Sequence, residues 1–170
     1  REHIELNRGQ ISDYLSGKRV LVTGGAGSIG LELCRQIMKV GPERLILFER
    51  VENEIYNVEM EFSETFHDEP YTLVLGDVLD TGRLEHVMQE HNPQVVFHAA
   101  AYKHVPITEA NPFEAVKNNV LGTLNVAEIS AKHGVEKFVL ISTDKAVKPA
   151  NVMGMTKRIA ELICQGMNGG

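Results

Sequence analysis

The sequence predicts an α/β fold: a doubly wound parallel sheet with helices on both faces and strand order 3-2-1-4-5. Three observations carry that expectation. Apolar runs of strand length alternate with longer helical patterns along almost the whole 170-residue chain, the mark of repeated βαβ units. The first run, Val20-Leu21-Val22-Thr23, passes through Gly24-Gly25-Ala26-Gly27 directly into a helix that opens at Ser28-Ile29-Gly30. Right-handed crossovers between successive units then place a reversal of strand order at the centre of the sheet.

Taken in order, strands are expected near 19–23, 44–48, 71–75, 94–98 and 137–142, and helices near 28–39, 52–65, 81–91, 112–132 and 153–166. Residues 1–17 read as a polar lead-in, where the helical spacing of Ile11, Tyr14 and Leu15 predicts a short helix against the first strand; residues 18–170 read as one domain. The helix after the glycine turn is amphipathic. The helix near 112–132 carries Val116, Val120, Leu124 and Ala127 at core spacing, with Asn118 and Asn119 among them. Asparagine inside a core helix needs partners, so Asn119 is expected to tie this helix to the fourth-strand backbone. The run ending at Ile141 reads as a buried fifth strand. Ligands in such sheets sit at the carboxyl ends of the strands, which gathers the loops after strands one, four and five around one crevice.

Bulk properties narrow the function classes. The net charge is −6 with acids and bases interspersed, which speaks against a nucleic-acid surface. Cys34 and Cys164 fall on apolar faces of expected helices and read as buried thiols in a reducing compartment. His86, His91 and His133 lack ligand spacing, so no metal site is expected. No apolar run approaches the ~20 residues a membrane span needs, and Arg1 to Glu5 does not read as a signal peptide.

The glycine turn points to a dinucleotide. Gly24 permits the tight turn, Gly27 lets backbone approach a diphosphate, and Gly30 lets the helix pack against the strand; the helix N-terminus at Ser28 and Ile29 then offers free N–H groups. Glu49 closes the second strand, where a carboxylate takes both ribose hydroxyls of NAD and repels a 2′-phosphate. Arg50 reads first as a solvated surface charge and otherwise as a partner for the 2′-phosphate of NADP, so NAD is favoured. Asp77, followed by Val78, is placed either for the adenine edge or as a turn aspartate. Ala99, Ala100 and Ala101 after the fourth strand leave room for a cofactor. Lys103 and His104 beyond them either face a sugar nucleotide or are solvated.

The densest chemistry lies in Ser142-Thr143-Asp144-Lys145, with Met153 and Lys157 following at i, i+4 spacing on one helix face. Here the sequence resembles the extended short-chain dehydrogenase/reductase superfamily, a Rossmann-like fold. The resemblance rests on Thr-Gly-x-x-Gly-x-x-Gly, on Asn118 to Thr123, and on a Tyr-x-x-x-Lys position occupied by Met153 and Lys157. The stretches His98 to Pro106 and Ser142 to Val147 are similar to its polysaccharide-biosynthesis branch, the UDP-N-acetylglucosamine 4,6-dehydratases. Methionine in place of tyrosine resembles the configuration-retaining, membrane-anchored members.

That resemblance implies an internal redox dehydration yielding a UDP-4-keto-6-deoxy sugar. NAD takes hydride from C4, the C5 proton becomes acidic, water leaves from C6, and hydride returns to C6. Thr143 would bond the C4 oxygen. Asp144, held protonated by burial, would be the acid at C6, and Lys145, neutralised by desolvation or by the Lys157 charge, the base at C5. Lys157 would hold the nicotinamide ribose. The resemblance further implies a homo-oligomer, membrane helices before Arg1, a substrate lobe after Gly170, and a cytoplasmic catalytic domain making no membrane contact of its own. Two other readings stay open: a nucleotide-sugar 4-epimerase or oxidoreductase, and a non-catalytic NAD-binding module.

Overall fold

A computed structural model of the chain describes residues 13–67 and 70–167. Five parallel strands, β1 (Arg19–Thr23), β2 (Arg44–Glu49), β3 (Tyr71–Leu75), β4 (Val95–His98) and β5 (Lys137–Leu140), form one sheet in the order β3-β2-β1-β4-β5. The expected topology is met, and the first four strands fall within a residue of their expected positions. The connecting helices are α1 (Ser28–Lys39), α2 (Glu52–Thr65), α3 (Thr81–His91), α4 (Val105–Ala110), α5 (Pro112–Val116), α6 (Gly122–Lys132) and α7 (Val152–Met167).

The apolar runs of β1 and β2 are buried on both sides because alternate residues face opposite layers. Val20, Val22, Leu45 and Leu47 meet Cys34, Ile37 and Met38 of α1 and Val58 and Phe62 of α2. Leu21, Ile46 and Phe48 meet Leu84, Val87 and Met88 of α3 and Val126 and Ile129 of α6. Residues 13–15 are helical; Leu15 packs into the first of these layers, Tyr14 is exposed, and Ile11 lies outside the described residues.

Three expectations need correction. The fifth strand is an edge strand that ends at Leu140 and is half-buried, not buried through 142, because β4 covers only one of its sides. The helix expected over 112–132 is interrupted by a π-helical turn, Lys117–Leu121, between α5 and α6. The wider turn carries one residue more than α geometry, which brings Asn118 and Asn119 inward together and leaves Val116 exposed. Gly122 follows it, where a Cβ would lie 2.7 Å from Val78 Cγ2. Finally, Cys164 is only half-buried, whereas Cys34 is buried; both are free thiols.

Candidate dinucleotide site

The turn after β1 is built around glycines. Gly24 has φ +66°, and a Cβ there would fall 2.6 Å from Ala100 Cα. A Cβ on Gly30 would collide with Gly24 O, so α1 starts pressed against the turn. Gly24 N donates to Phe48 O at 2.8 Å, pinning the turn to the end of β2. Gly27 caps α1 with no side-chain bond, and the first helical turn carries no acid. Its N–H groups and positive dipole end therefore face the cleft unmet. Ser28 Oγ accepts a 2.7 Å hydrogen bond from Lys103 Nζ, which brings an ammonium to the same spot. A donor-rich cradle that side chains would fill suits a diphosphate.

Two connected clefts open from this turn. The outer one, of about 430 Å³, runs past Glu49, Val51, Val78, Ala99, Ala100 and Asn118. Glu49 Oε1 accepts from Arg50 N at 2.8 Å and Val51 N at 3.2 Å, so the carboxylate is fixed at the rim. Asp77 behaves as a turn aspartate: its Oδ1 accepts from Leu79 N at 2.9 Å, and its neighbours Gly76 and Val78 line the cleft in its place. Arg50 is exposed, as expected of a surface charge, yet it is also partnered. Its guanidinium reaches across the mouth to Tyr102, Asp77 and Asn118.

The inner cleft, of about 320 Å³, brings Thr143, Lys145, Met153 and Lys157 beside Gly24 and Ser28. Glu109 Oε1 accepts from Val152 N at 2.6 Å, and Asn151 Oδ1 from Gly154 N at 2.7 Å, capping α7 so that its first turn is fixed. A Cβ on Gly154 would lie 2.6 Å from Lys145 O, so that turn also rests directly on the loop after β5. Met153 is buried, and so is Lys157, whose Nζ donates to Ile141 O. Burial pushes the Lys157 ammonium below the usual lysine range, against the pull of the Glu161 charge.

Asp144 does not sit as expected. Its side chain is 82 % exposed, and the hydrogen bond from Thr143 Oγ1 and the Lys145 charge hold its carboxyl below the usual range. The net effect favours the ionised carboxylate, because these two outweigh a smaller opposing contribution from burial. Lys145 is half-exposed, not buried as expected, and its Nζ lies 3.9 Å from Asp144 Oδ1. His104 precedes α4 and lines an adjoining 200 Å³ recess with Ile107 and Thr108, which shares Ala101, Tyr102 and Lys103 with both dinucleotide clefts. Among the described residues no cluster of three metal-ligating side chains occurs, and no helix is long and apolar enough to cross a membrane.

Beneath the clefts runs a buried hydrogen-bond chain. Thr123 Oγ1 donates to Asn119 O at 2.6 Å, which spends its one proton; His98 Nε2, 3.0 Å away, must therefore donate to Thr123, and Thr23 Oγ1 must donate to the bare Nδ1. His98 is neutral, its imidazole pushed down to about 3 by burial and by the Lys157 charge. Asn119 holds Tyr102 by both backbone groups, at 2.7 and 3.0 Å, and donates to Thr156 Oγ1 at 3.0 Å. Its tie therefore reaches the loop after β4, one step beyond the strand, and continues to α7. Sequence reasoning missed Tyr102 and Asn118 as cleft residues: the first stands in a loop without periodicity, and the second turns inward only through the π turn.

The fold and its glycine-floored clefts define a Rossmann-like dinucleotide-binding domain of the extended short-chain dehydrogenase/reductase type. A match to the family of polysaccharide biosynthesis proteins spans residues 20–169, and the chain belongs to that family. It is 52 % identical over 170 residues to the capsular polysaccharide biosynthesis protein CapD of Staphylococcus aureus, covering 99 % of this chain and 28 % of that one. A UDP-N-acetylglucosamine 4,6-dehydratase (inverting) of Campylobacter jejuni is 36 % identical over 154 residues, covering 90 % of this chain and 44 % of that one. Among solved structures, a UDP-glucose 4-epimerase from Stenotrophomonas maltophila with bound NAD and formylated UDP-arabinopyranose superposes with a TM-score of 0.80 at 25 % identity, covering 90 % of this chain and 50 % of that one. The chain thus spans half or less of the length of these relatives.

Proposed function

We propose that the chain is the cofactor-binding part of an NAD-dependent nucleotide-sugar 4,6-dehydratase acting on UDP-N-acetylglucosamine in surface polysaccharide biosynthesis. The observation that carries this reading is the inner cleft. Thr143, Lys145, Met153 and Lys157 line it together, and it opens onto the diphosphate cradle. NAD, when bound, supplies a reversible hydride acceptor. The turn Gly24 to Gly30 would hold its diphosphate, Glu49 the adenosine ribose, and Ala99 to Ala101 the floor beneath it.

Thr143 stands where its hydroxyl would orient the sugar's C4 oxygen, and Lys157, buried and cationic, would hold the nicotinamide ribose and bias nearby charge. Met153 fills its position without a proton to exchange. Elimination of the C6 hydroxyl needs an acid and a base at adjacent carbons, and Asp144 and Lys145 are the adjacent pair. As an exposed ion pair the two are not poised for that work. A UDP-sugar seated over them would exclude water from both and bring them against the carbons between which water is lost.

The sugar nucleotide would enter past Lys103. Free thiols at Cys34 and Cys164 fit a reducing, cytoplasmic setting. Met155, Ile159 and Leu162 form an exposed apolar stripe on α7 that favours a homo-oligomer.

Incubating the full-length protein with UDP-N-acetylglucosamine tests the reading: a 4-keto-6-deoxy product supports it, and a C4 epimer without keto product supports the 4-epimerase instead. The epimerase reading is favoured by the solved NAD-bound neighbour, and it has no use for the Asp144–Lys145 pair.

A further inference from the structure

Arg50 leaves β2 immediately after Glu49, at the place where a dinucleotide's adenosine ribose would lie. Its guanidinium is nevertheless committed elsewhere. Nη2 donates to Tyr102 Oη at 2.5 Å, and the guanidinium carbon stacks 4.7 Å from the centre of the same ring. Asp77 Oδ2 lies 3.6 Å from Nη1, an ion pair beyond hydrogen-bond distance, and Asn118 Oδ1 lies 3.5 Å from it, at the long limit of a hydrogen bond. Tyr102 is therefore the strongest of the three partners. It is also the best anchored, since Asn119 grips its backbone N–H and C=O and through them sets where the ring projects.

A 2′-phosphate would bring about −1.5 to −2 charges to this rim and would need a guanidinium free to fork onto its oxygens. The chain instead presents the Glu49 carboxylate, held in place by two backbone N–H groups, and an arginine whose Nη2 and one face are engaged by Tyr102. We propose that Tyr102 is a specificity-determining residue: by holding Arg50 across the mouth of the outer cleft it withholds the cation a 2′-phosphate requires, and so selects NAD over NADP. This rests on the reading that a dinucleotide fills the cleft.

The test titrates NAD and NADP separately into the full-length protein and its variants, with calorimetry as the readout and no turnover required. Tyr102→Phe keeps the ring and removes only the hydroxyl; it raises NADP affinity relative to NAD by about tenfold, the order expected for one hydrogen bond to a charged group. Arg50→Ala alone leaves that ratio within about twofold, and in the double variant the gain disappears. Asp77→Asn loosens the guanidinium from its other side and moves the ratio in the same direction, giving an independent variant should Tyr102→Phe fold poorly. An unchanged ratio in both Tyr102→Phe and Asp77→Asn, a gain that survives loss of Arg50, or a wild-type protein preferring NADP would each overturn the proposal. If the folded wild-type protein binds neither dinucleotide, the reading of the cleft itself fails.

Discussion

His98 Nδ1 lies 2.6 Å from Thr23 Oγ1, joining the tips of β4 and β1 directly beneath the glycine turn. Because every proton in the chain from Thr23 to Asn119 has one possible direction, the imidazole has no room for a second proton. Unfolded, the ring titrates near 6.5; folded, it stays neutral down to about 3. Between those values the unfolded chain binds the extra proton, so this contribution to stability is complete above pH 6.5 and is lost as pH falls toward 3. The expected slope is about 1.4 kcal/mol per pH unit. Urea unfolding of wild type and His98→Leu at pH 7 and pH 5 checks it: the variant is less stable at pH 7 by ~1–3 kcal/mol, and the gap narrows at pH 5.

Gly24→Ala places a methyl against the Ala100 backbone on a residue of positive φ. Both effects act on the turn that would receive the diphosphate. NAD affinity should fall by about 100-fold or more, with ~1–3 kcal/mol of stability lost through strain. Calorimetric titration and the urea midpoint read the two separately. Gly17, with φ +67° and open space around it, is the control: Gly17→Ala costs backbone strain alone and leaves NAD binding unchanged.

Asn119→Ala removes the clamp on Tyr102 and the bond to Thr156, leaving buried polar groups of two segments unmet. Stability should fall by ~2–4 kcal/mol. Amide hydrogen exchange should accelerate at Tyr102 while the β1 and β2 core stays protected.

Lys145→Ala and Asp144→Asn in the full-length protein should each lower formation of the 4-keto-6-deoxy product by about 100-fold or more, as expected for loss of a general acid or base. Both side chains are exposed, so thermal unfolding should shift little. Product assay and calorimetry together decide it. Turnover that survives Lys145→Ala removes that residue from the chemistry.

Much of the fold was legible because its signals are local and repeated. The apolar run Val20 to Val22, the three glycines behind it and the acid at Glu49 each have one structural use in a βαβ unit, and strand order followed from handedness. What stayed hidden depends on distant segments. Nothing adjacent to Arg50 in sequence announces Tyr102, 52 residues away. The exposure of Asp144 follows from β5 ending two residues early at the sheet edge, which no apolar pattern signals. The short helix α4 was not expected at all, and it rests on a contact with α7, 43 residues away.

The π turn at Lys117–Leu121 makes the site sensitive to arithmetic as well as chemistry. One helical residue is worth about 100° of rotation. Deleting a single position between Pro112 and Lys132 would restore ordinary α geometry and swing one asparagine toward solvent while every other side chain kept its identity. Swaps of this segment between relatives should therefore preserve its length before its composition.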